Sequence, residues 1–295
     1  MEIGLVGRFG DTSSRDMGYV RSLAQGCEGV GFASLWAPEH VVFFSRYSSR
    51  YPYSPDGRPP WSGDTGIFDP MFVCAVAAEA TRSLRVGTAV LILPQRPALL
   101  TAKEALTLDH LSQGRFRLGA GAGWSFEEYA ALGVPFEHRG RRFDEYLQAI
   151  RAAWTQEHAS YHGEFVSFED VVLLPRPVTP GGPPILIGGE SRAAMRRAAR
   201  FGDGWYGWWV GGELEPHLAS LREELTAVGR REGRDFHLQL GLPFQPGDTP
   251  ENVLDKVAEA RRCGVAELVL GVPIRASRLD ADLSWWAQSL GLRSA

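Results

Sequence analysis

Short apolar runs alternate with longer stretches whose apolar residues recur at helical spacing, and the alternation persists along the whole chain. Residues 3–7 predict a strand, and 16–27, with Tyr19, Val20, Leu23 and Cys27 on one face, predict an amphipathic helix ended by Gly29 and Gly31. A second strand at 32–36 stops at Pro38. Asp69-Pro70 opens a helix by the cap-then-proline rule, and a strand at 85–93, a helix at 97–111 and a strand at 115–120 follow. Gly133 and Pro135 split 125–154 into a short helix and a long one from near Gly140. Residues 159–180 break the rhythm with short strands and prolines, which predicts an excursion. The pattern then resumes with strands at 185–187, 204–206, 237–242 and 267–270, each followed by a helix. Strand then helix repeats roughly eight times, the signature of a (β/α)8 TIM barrel, with no linker to divide 1–295 into separate domains.

Such barrels keep their chemistry at the carboxyl ends of the strands. Glu39 and His40 emerge together there, just past the second strand. An imidazole in that position can trade protons with a substrate near neutral pH. The plainer reading is a histidine that only caps a helix or bonds a loop, and its place at a strand's carboxyl end favours function. The next piece, 41–68, is the longest irregular stretch and predicts a mobile lid.

Composition narrows the partners. Charged residues are 22%, hydrophobic ones 44%, and the formal net charge is -4, so a core is available but no basic field for nucleic acid or anionic lipid. The expected partners are a small-molecule substrate and a second copy of the chain, with neither nucleic acid nor membrane. Cys27, Cys74 and Cys263 lie far apart in apolar segments and read as reduced core residues, and the N-terminus lacks signal-peptide architecture, so the expected location is cytoplasmic. No metal-ligand spacing and no Gly-x-Ser-x-Gly elbow is present.

Four further stretches carry candidate chemistry. Gly87 and Ala89 would let a flat ring approach the third strand, or would place small residues opposite large ones in an ordinary core, the reading favoured on residue type. The alternating glycines of Gly119-Ala120-Gly121-Ala122-Gly123 can lay amides against an anion or admit a cofactor, although they do not match the dinucleotide fingerprint. Gly188-Gly189-Glu190-Ser191 joins a strand to a helix start, where free amides, a hydroxyl and the helix dipole favour a phosphate; a plain capping serine is the alternative. Trp205, Tyr206, Trp208 and Trp209 could wall a ring or pack the barrel mouth. Arg139, Arg141, Arg142 and Glu145 read as a solvated helical face, whereas Arg46, Arg50 and Arg58 could close over an acidic ligand from the lid.

Together these residues resemble the bacterial luciferase-like oxidoreductase family over most of the chain. The resemblance rests on Trp36-Ala37-Pro38-Glu39-His40, Tyr51-Pro52-Tyr53 with Asp56-Gly57, Gly87-Thr88-Ala89-Val90-Leu91, the run 118–124, Arg139-Gly140-x-Arg142-x-x-Glu145, and 188–191 followed by Gly202-Asp203-Gly204-Trp205. The chain looks most like the branch of probable coenzyme F420-dependent oxidoreductases. What the resemblance implies is a flavin or deazaflavin held against a bulge in the third strand, with a non-prolyl cis peptide at Ala89-Val90. It also implies Gly121 and Ala122 beside the ring, and a phosphate on Gly188, Gly189, Glu190 and Ser191. His40 is then the acid, base or hydrogen-bond partner of the substrate, with Glu39 orienting it or touching the ring. Where related sugar-phosphate dehydrogenases carry a catalytic glutamate this chain has Trp124, which disfavours glucose 6-phosphate. The expected reaction is hydride transfer with F420. The runner-up is an FMN-dependent monooxygenase, and the rival to any enzyme is a non-catalytic flavin-binding barrel.

Overall fold

Parallel strands need a long return path, and the chain supplies a helix for most of them. The structure is a computed structural model that describes residues 1–61, 65–233, 235–245 and 247–293. β1 (Glu2–Val6) leads to α1 (Met17–Val30), which Asp16 caps by accepting from the Tyr19 amide at 2.9 Å. This helix runs three residues past the expected end. A lone glycine costs a helix only about 1 kcal/mol, and the true stop is Gly31, which takes the left-handed φ of 92°.

β2 (Ser34–Ala37) is followed by the long loop and by α2 (Pro70–Glu79), whose cap Asp69 accepts from the Met71 amide at 2.8 Å. The expected third strand is broken in two, β3 (Arg85–Thr88) and β4 (Leu91–Ile92), with a cis Ala89-Val90 peptide between them. Next come α3 (Ala98–Ser112), β5 (Phe116–Gly121), α4 (Phe126–Ala131) and α5 (Arg139–Thr155). The expected excursion is an antiparallel hairpin of β6 (Ala159–His162) and β7 (Ser167–Val171), whose turn is held by Glu145 accepting from the amides of Glu164 at 3.1 Å and Phe165 at 2.8 Å. The series closes with β8 (Ile185–Gly188), α6 (Arg192–Phe201), β9 (Gly204–Trp208), α7 (Leu214–Ala227), β10 (His237–Pro243), α8 (Pro250–Arg262), β11 (Glu267–Gly271) and α9 (Leu279–Leu290).

Every pairing in the main sheet is parallel, in the order β3-β2-β1-β11-β10-β9-β8-β5-β4, and β3 also pairs with β5. With β3 and β4 counted as one interrupted strand, this is a closed eight-stranded barrel wrapped by helices. Apolar side chains fill two layers. The larger lies between strands and helices; the smaller lies inside the barrel and comprises Trp36, Leu186, Tyr206 and Val269. The amino end of the barrel is closed by a polar plug in which Arg85 meets Glu267 at 2.9 Å and Trp36 donates to Ser34 at 2.7 Å.

Inside the barrel, glycines face large rings. A Cβ on Gly87 would stand 2.3 Å from the Trp36 ring, and one on Gly241 would stand 2.3 Å from Trp208. Gly87 is therefore small because Trp36 fills its space, as the packing alternative held. Cys27 and Cys74 are buried and free; Cys263 is free but only half-buried at the end of α8, so it is not a core residue. No helix among the described residues is long and apolar enough to cross a membrane.

Candidate active site at the carboxyl end of the barrel

Pro38 ends β2, and the two residues after it part company. Glu39 turns inward and is 5% exposed; its carboxylate accepts from the Ile92 amide and from Arg96 Nε at 2.9 Å. Arg96 is shared with Asp69 at 2.5 Å, and Glu104 lies 3.7 Å away. Burial pushes the Glu39 carboxyl above its ordinary value against the pull of Arg96. Glu39 thus fastens the end of β2 to β4 just beyond the bulge.

The carboxylate that meets His40 is instead Glu128, from α4: Oε2 lies 2.9 Å from His40 Nδ1, and Oε1 accepts from the Val41 amide at 2.6 Å. This corrects the expectation that Glu39 orients His40. Glu128 is fully buried, and a buried carboxylate on Nδ1 fixes the ring and leaves Nε2 as the atom available for proton exchange. The His40 ring sits among Phe43, Trp61 and Trp124, with centroids 5.3, 5.4 and 5.8 Å away.

Those rings belong to a larger aromatic cover. Tyr51 lies 5.0 Å from Trp61 and 5.2 Å from Trp124, Tyr47 lies 5.3 Å from Trp124, and Tyr53 lies 6.5 Å from Trp208. These are ring-contact distances, and the cover leaves the His40 side chain 14% exposed. Burial pushes the Tyr51 phenol up to about 12, with exposed Arg8 pulling it down, so the hydroxyl keeps its proton. The cover is tied to α4 as well, because Glu127 accepts from the amides of Ser48 at 2.5 Å and Ser49 at 3.0 Å. Arg46, Arg50 and Arg58 are exposed on this loop and have no ion-pair partner among the described residues. Two open surface cavities, of about 440 and 620 Å³, lie outside the barrel, between α5 and α6 and along α7.

The bulge stands beside this cover. Ala89 and Val90 line the inner cluster, and the glycines expected near the ring make room for Val90. A Cβ on Gly121 would stand 2.7 Å from a Val90 methyl, and one on Gly188 would stand 2.9 and 3.0 Å from both methyls. A Cβ on Gly119 would collide with the Thr88 carbonyl. The alternating glycines are therefore fitted to the interrupted strand beside them. Ala122 contributes its carbonyl, which accepts from Tyr129 at 2.7 Å.

At the end of β8, Gly189 takes φ 116°, which strains any residue with a side chain, and Ser191 caps α6 by accepting from the Ala194 amide at 3.2 Å. The capping alternative holds for the hydroxyl, while the amides of 189–191 stand at the positive end of the helix. The Glu190 carboxylate accepts from the Trp208 amide at 2.5 Å and meets His217. A flavin-type cofactor fits this donor set: an indented strand for a flat ring, and a glycine turn with helix-end amides for a phosphate.

The aromatic run on β9 divides by strand alternation. Tyr206 faces the barrel interior, Trp208 borders the inner cluster, and Trp205 and Trp209 are buried in the outer core. The supposed solvated face on α5 also divides. Arg141 pairs with Glu164 at the surface at 2.7 Å, whereas Arg142 is 6% exposed and donates to the Pro135 carbonyl at 2.7 Å.

Residues 3–291 match the model of the luciferase-like monooxygenase family. A Mycobacterium tuberculosis protein of uncharacterized function is 34% identical over 257 residues, which are 87% of this chain and 85% of that one. An FMNH2-dependent dimethylsulfone monooxygenase of Pseudomonas putida is 34% identical over 258 residues, 86% of this chain and 65% of that protein. Among solved structures, an F420-dependent secondary alcohol dehydrogenase superposes with a TM-score of 0.75 at 13% identity, covering 98% of each chain. The barrel, its interrupted strand and these matches together show that the chain belongs to the luciferase-like family of oxidoreductases.

Proposed function

We propose that the protein is an F420-dependent oxidoreductase that moves a hydride to or from a small organic substrate, with His40 exchanging the accompanying proton. The observation that supports this most is the His40–Glu128 pair at the barrel mouth, one strand away from the bulge. Ala89, Val90, Gly121 and Gly188 would seat the ring, and the amides of 189–191 would hold the phosphate. A deazaflavin bound there supplies a carbon that accepts or gives hydride. His40 takes the hydroxyl proton as the neighbouring substrate carbon gives up its hydride, or returns it in the reverse direction. Glu128 keeps the ring turned for that exchange and stabilises the imidazolium. The aromatic cover excludes water while the charge moves. The exposed lid arginines and Arg8 are cations suited to a negatively charged cofactor tail.

A second reading, an FMN-dependent monooxygenase, is favoured by the 34% identity to the dimethylsulfone enzyme. Titrating the apoprotein with F420 and with FMN at several salt concentrations separates the two. Tighter, salt-sensitive binding of F420 is expected; FMN binding with no measurable F420 affinity would overturn the first reading and leave the second.

The proposed macromolecular partner is a second copy of the chain. α2 is apolar on all sides, yet Phe72 is 68% exposed there, and Leu100 on the adjoining α3 is 53% exposed. Helices apolar all round are normally covered, and a two-fold pairing of this face would cover both copies. Light scattering is expected to show a dimer that Phe72→Glu dissociates, and a wild-type monomer at micromolar concentration would refute it.

A further inference from the structure

The carboxyl end of β8 carries a carboxylate where a phosphate site wants none. Glu190 lies between Gly189 and Ser191, and an uncompensated carboxylate there opposes a second anion in a partly dry site. Both its oxygens are occupied: Oε1 accepts from the Trp208 amide at 2.5 Å, and Oε2 is in ionic contact with Nε2 of His217, from the first turn of α7. The two contacting atoms are shut off from solvent and make no hydrogen bond among the described residues, so the pairing is a charge contact. The imidazole rests on Trp205 at 5.7 Å between centroids, and Trp205 Nε1 donates to the Gly189 carbonyl at 2.8 Å. Imidazole, indole and glycine turn therefore form one packed unit.

The arginines closest in sequence are committed elsewhere. Arg192 pairs with Glu224 at 2.9 Å and Glu223 at 3.1 Å, and Arg196 with Glu224 at 3.3 Å. His217 is thus the cationic partner of Glu190 among the described residues.

We propose that His217 is a positioning residue for the phosphate end of the cofactor: its contact with Glu190 neutralises the carboxylate and keeps it folded onto Trp208, which leaves the amides of 189–191 open to a phosphate ester. The inference rests on the phosphate-bearing cofactor of the proposed function. The carboxylate of Glu190 beside it raises the His217 pKa above its ordinary value against the opposing effect of burial, so the ring keeps its proton to higher pH than a free histidine.

The test compares ligands with and without the phosphate: FMN against riboflavin, which differ only in that group, and F420 against the deazaflavin that lacks the phosphodiester together with the tail beyond it, each at high salt so that the tail's exposed cations contribute little. His217→Asn is expected to weaken the phosphate-bearing ligand by about tenfold or more while its phosphate-free counterpart changes by less than about twofold. Adding Glu190→Gln to His217→Asn is expected to restore binding, because the carboxylate that needed neutralising is gone. His217→Gln, which can still donate to Glu190 without a charge, should fall between, and circular dichroism verifies that each variant is folded. Equal losses for both ligands, no loss for either, or no rescue by Glu190→Gln would overturn the proposal. Wild-type protein that binds neither cofactor would instead overturn the proposed function on which it rests.

Discussion

Replacing Gly188 by Ala tests whether the glycines around Val90 are fitted to it. The new Cβ would stand 2.9 Å and 3.0 Å from the two Val90 methyls and 3.4 Å from its Cβ. The first distance is an overlap, the second a tight contact and the third ordinary contact, so the strain falls on the methyls alone. Valine is stiff at χ1 and cannot swing them aside freely. Overpacking of this kind costs about 1–3 kcal/mol. For a chain of this size that is a fall in melting temperature on the order of 5 °C.

The same displacement pushes Val90 into the space proposed for the ring, so cofactor affinity is expected to fall by about tenfold, equivalent to about 1.4 kcal/mol. Val90→Ala removes both methyls and should absorb the added Cβ. In that background Gly188→Ala should cost little, and the two changes should be non-additive by most of the single-variant loss. Thermal unfolding followed by circular dichroism measures stability, and fluorescence titration measures cofactor binding. A Gly188→Ala protein as stable as wild type, or an undiminished loss in the Val90→Ala background, would refute the packing argument. Lost affinity without lost stability would mean that Gly188 is small for the ligand rather than for Val90.

Glu128→Gln keeps the shape of the buried side chain but removes the charge facing His40; with a charge-assisted bond worth about 1.5–3 kcal/mol, turnover should fall roughly 10- to 100-fold with cofactor binding intact, and a change under about threefold would contradict the assigned role. Glu127→Ala should speed proteolysis within 41–61 at neutral pH, since it removes the acceptor of the Ser48 and Ser49 amides. Burial raises the Glu127 pKa, but the bonds from Ser48 and Ser49 outweigh it and hold the carboxyl far below its ordinary 4.5. Because the folded value is depressed, the tie is at full strength above pH 4.5 and is lost only as pH falls through the folded value, so wild-type loop cleavage should be flat from pH 5 to 8. The His217 pKa is raised, so that contact should stabilise fully below pH 6.5 and fade as pH climbs through the folded value; the melting difference between wild type and His217→Asn should shrink on the alkaline side.

The barrel could be read from the chain because period and punctuation are local properties. Apolar runs of strand length, helical faces and terminal glycines each carry their own signal. The interrupted third strand could not be read that way, since 85–93 has the composition of one continuous strand; only the resemblance pointed to Ala89-Val90. Arg96 and Arg142 were hidden for a related reason. Arg96 is a lone cation near a helix start and Arg142 belongs to a basic run at another, patterns that usually mean a solvated face; Arg96 is instead drawn in by Glu39 and Asp69 from distant segments, and Arg142 by the Pro135 carbonyl of the preceding turn.

Glu128 shows why local logic can conceal a site residue. Ser125-Phe126-Glu127-Glu128 is a capping-box pattern, and the box accounts for a glutamate three residues past the serine without any distant partner. Ser125 does cap α4, accepting from the Glu128 amide at 3.2 Å. The Glu128 carboxylate, however, goes to His40 and Val41, and the adjacent Glu127 goes to Ser48 and Ser49. Two neighbouring carboxylates on a six-residue helix thus hold both His40 and the start of the aromatic cover. Because both carboxylates sit on one short helix, any shift of α4 that released Ser48 and Ser49 would also move the partner of His40.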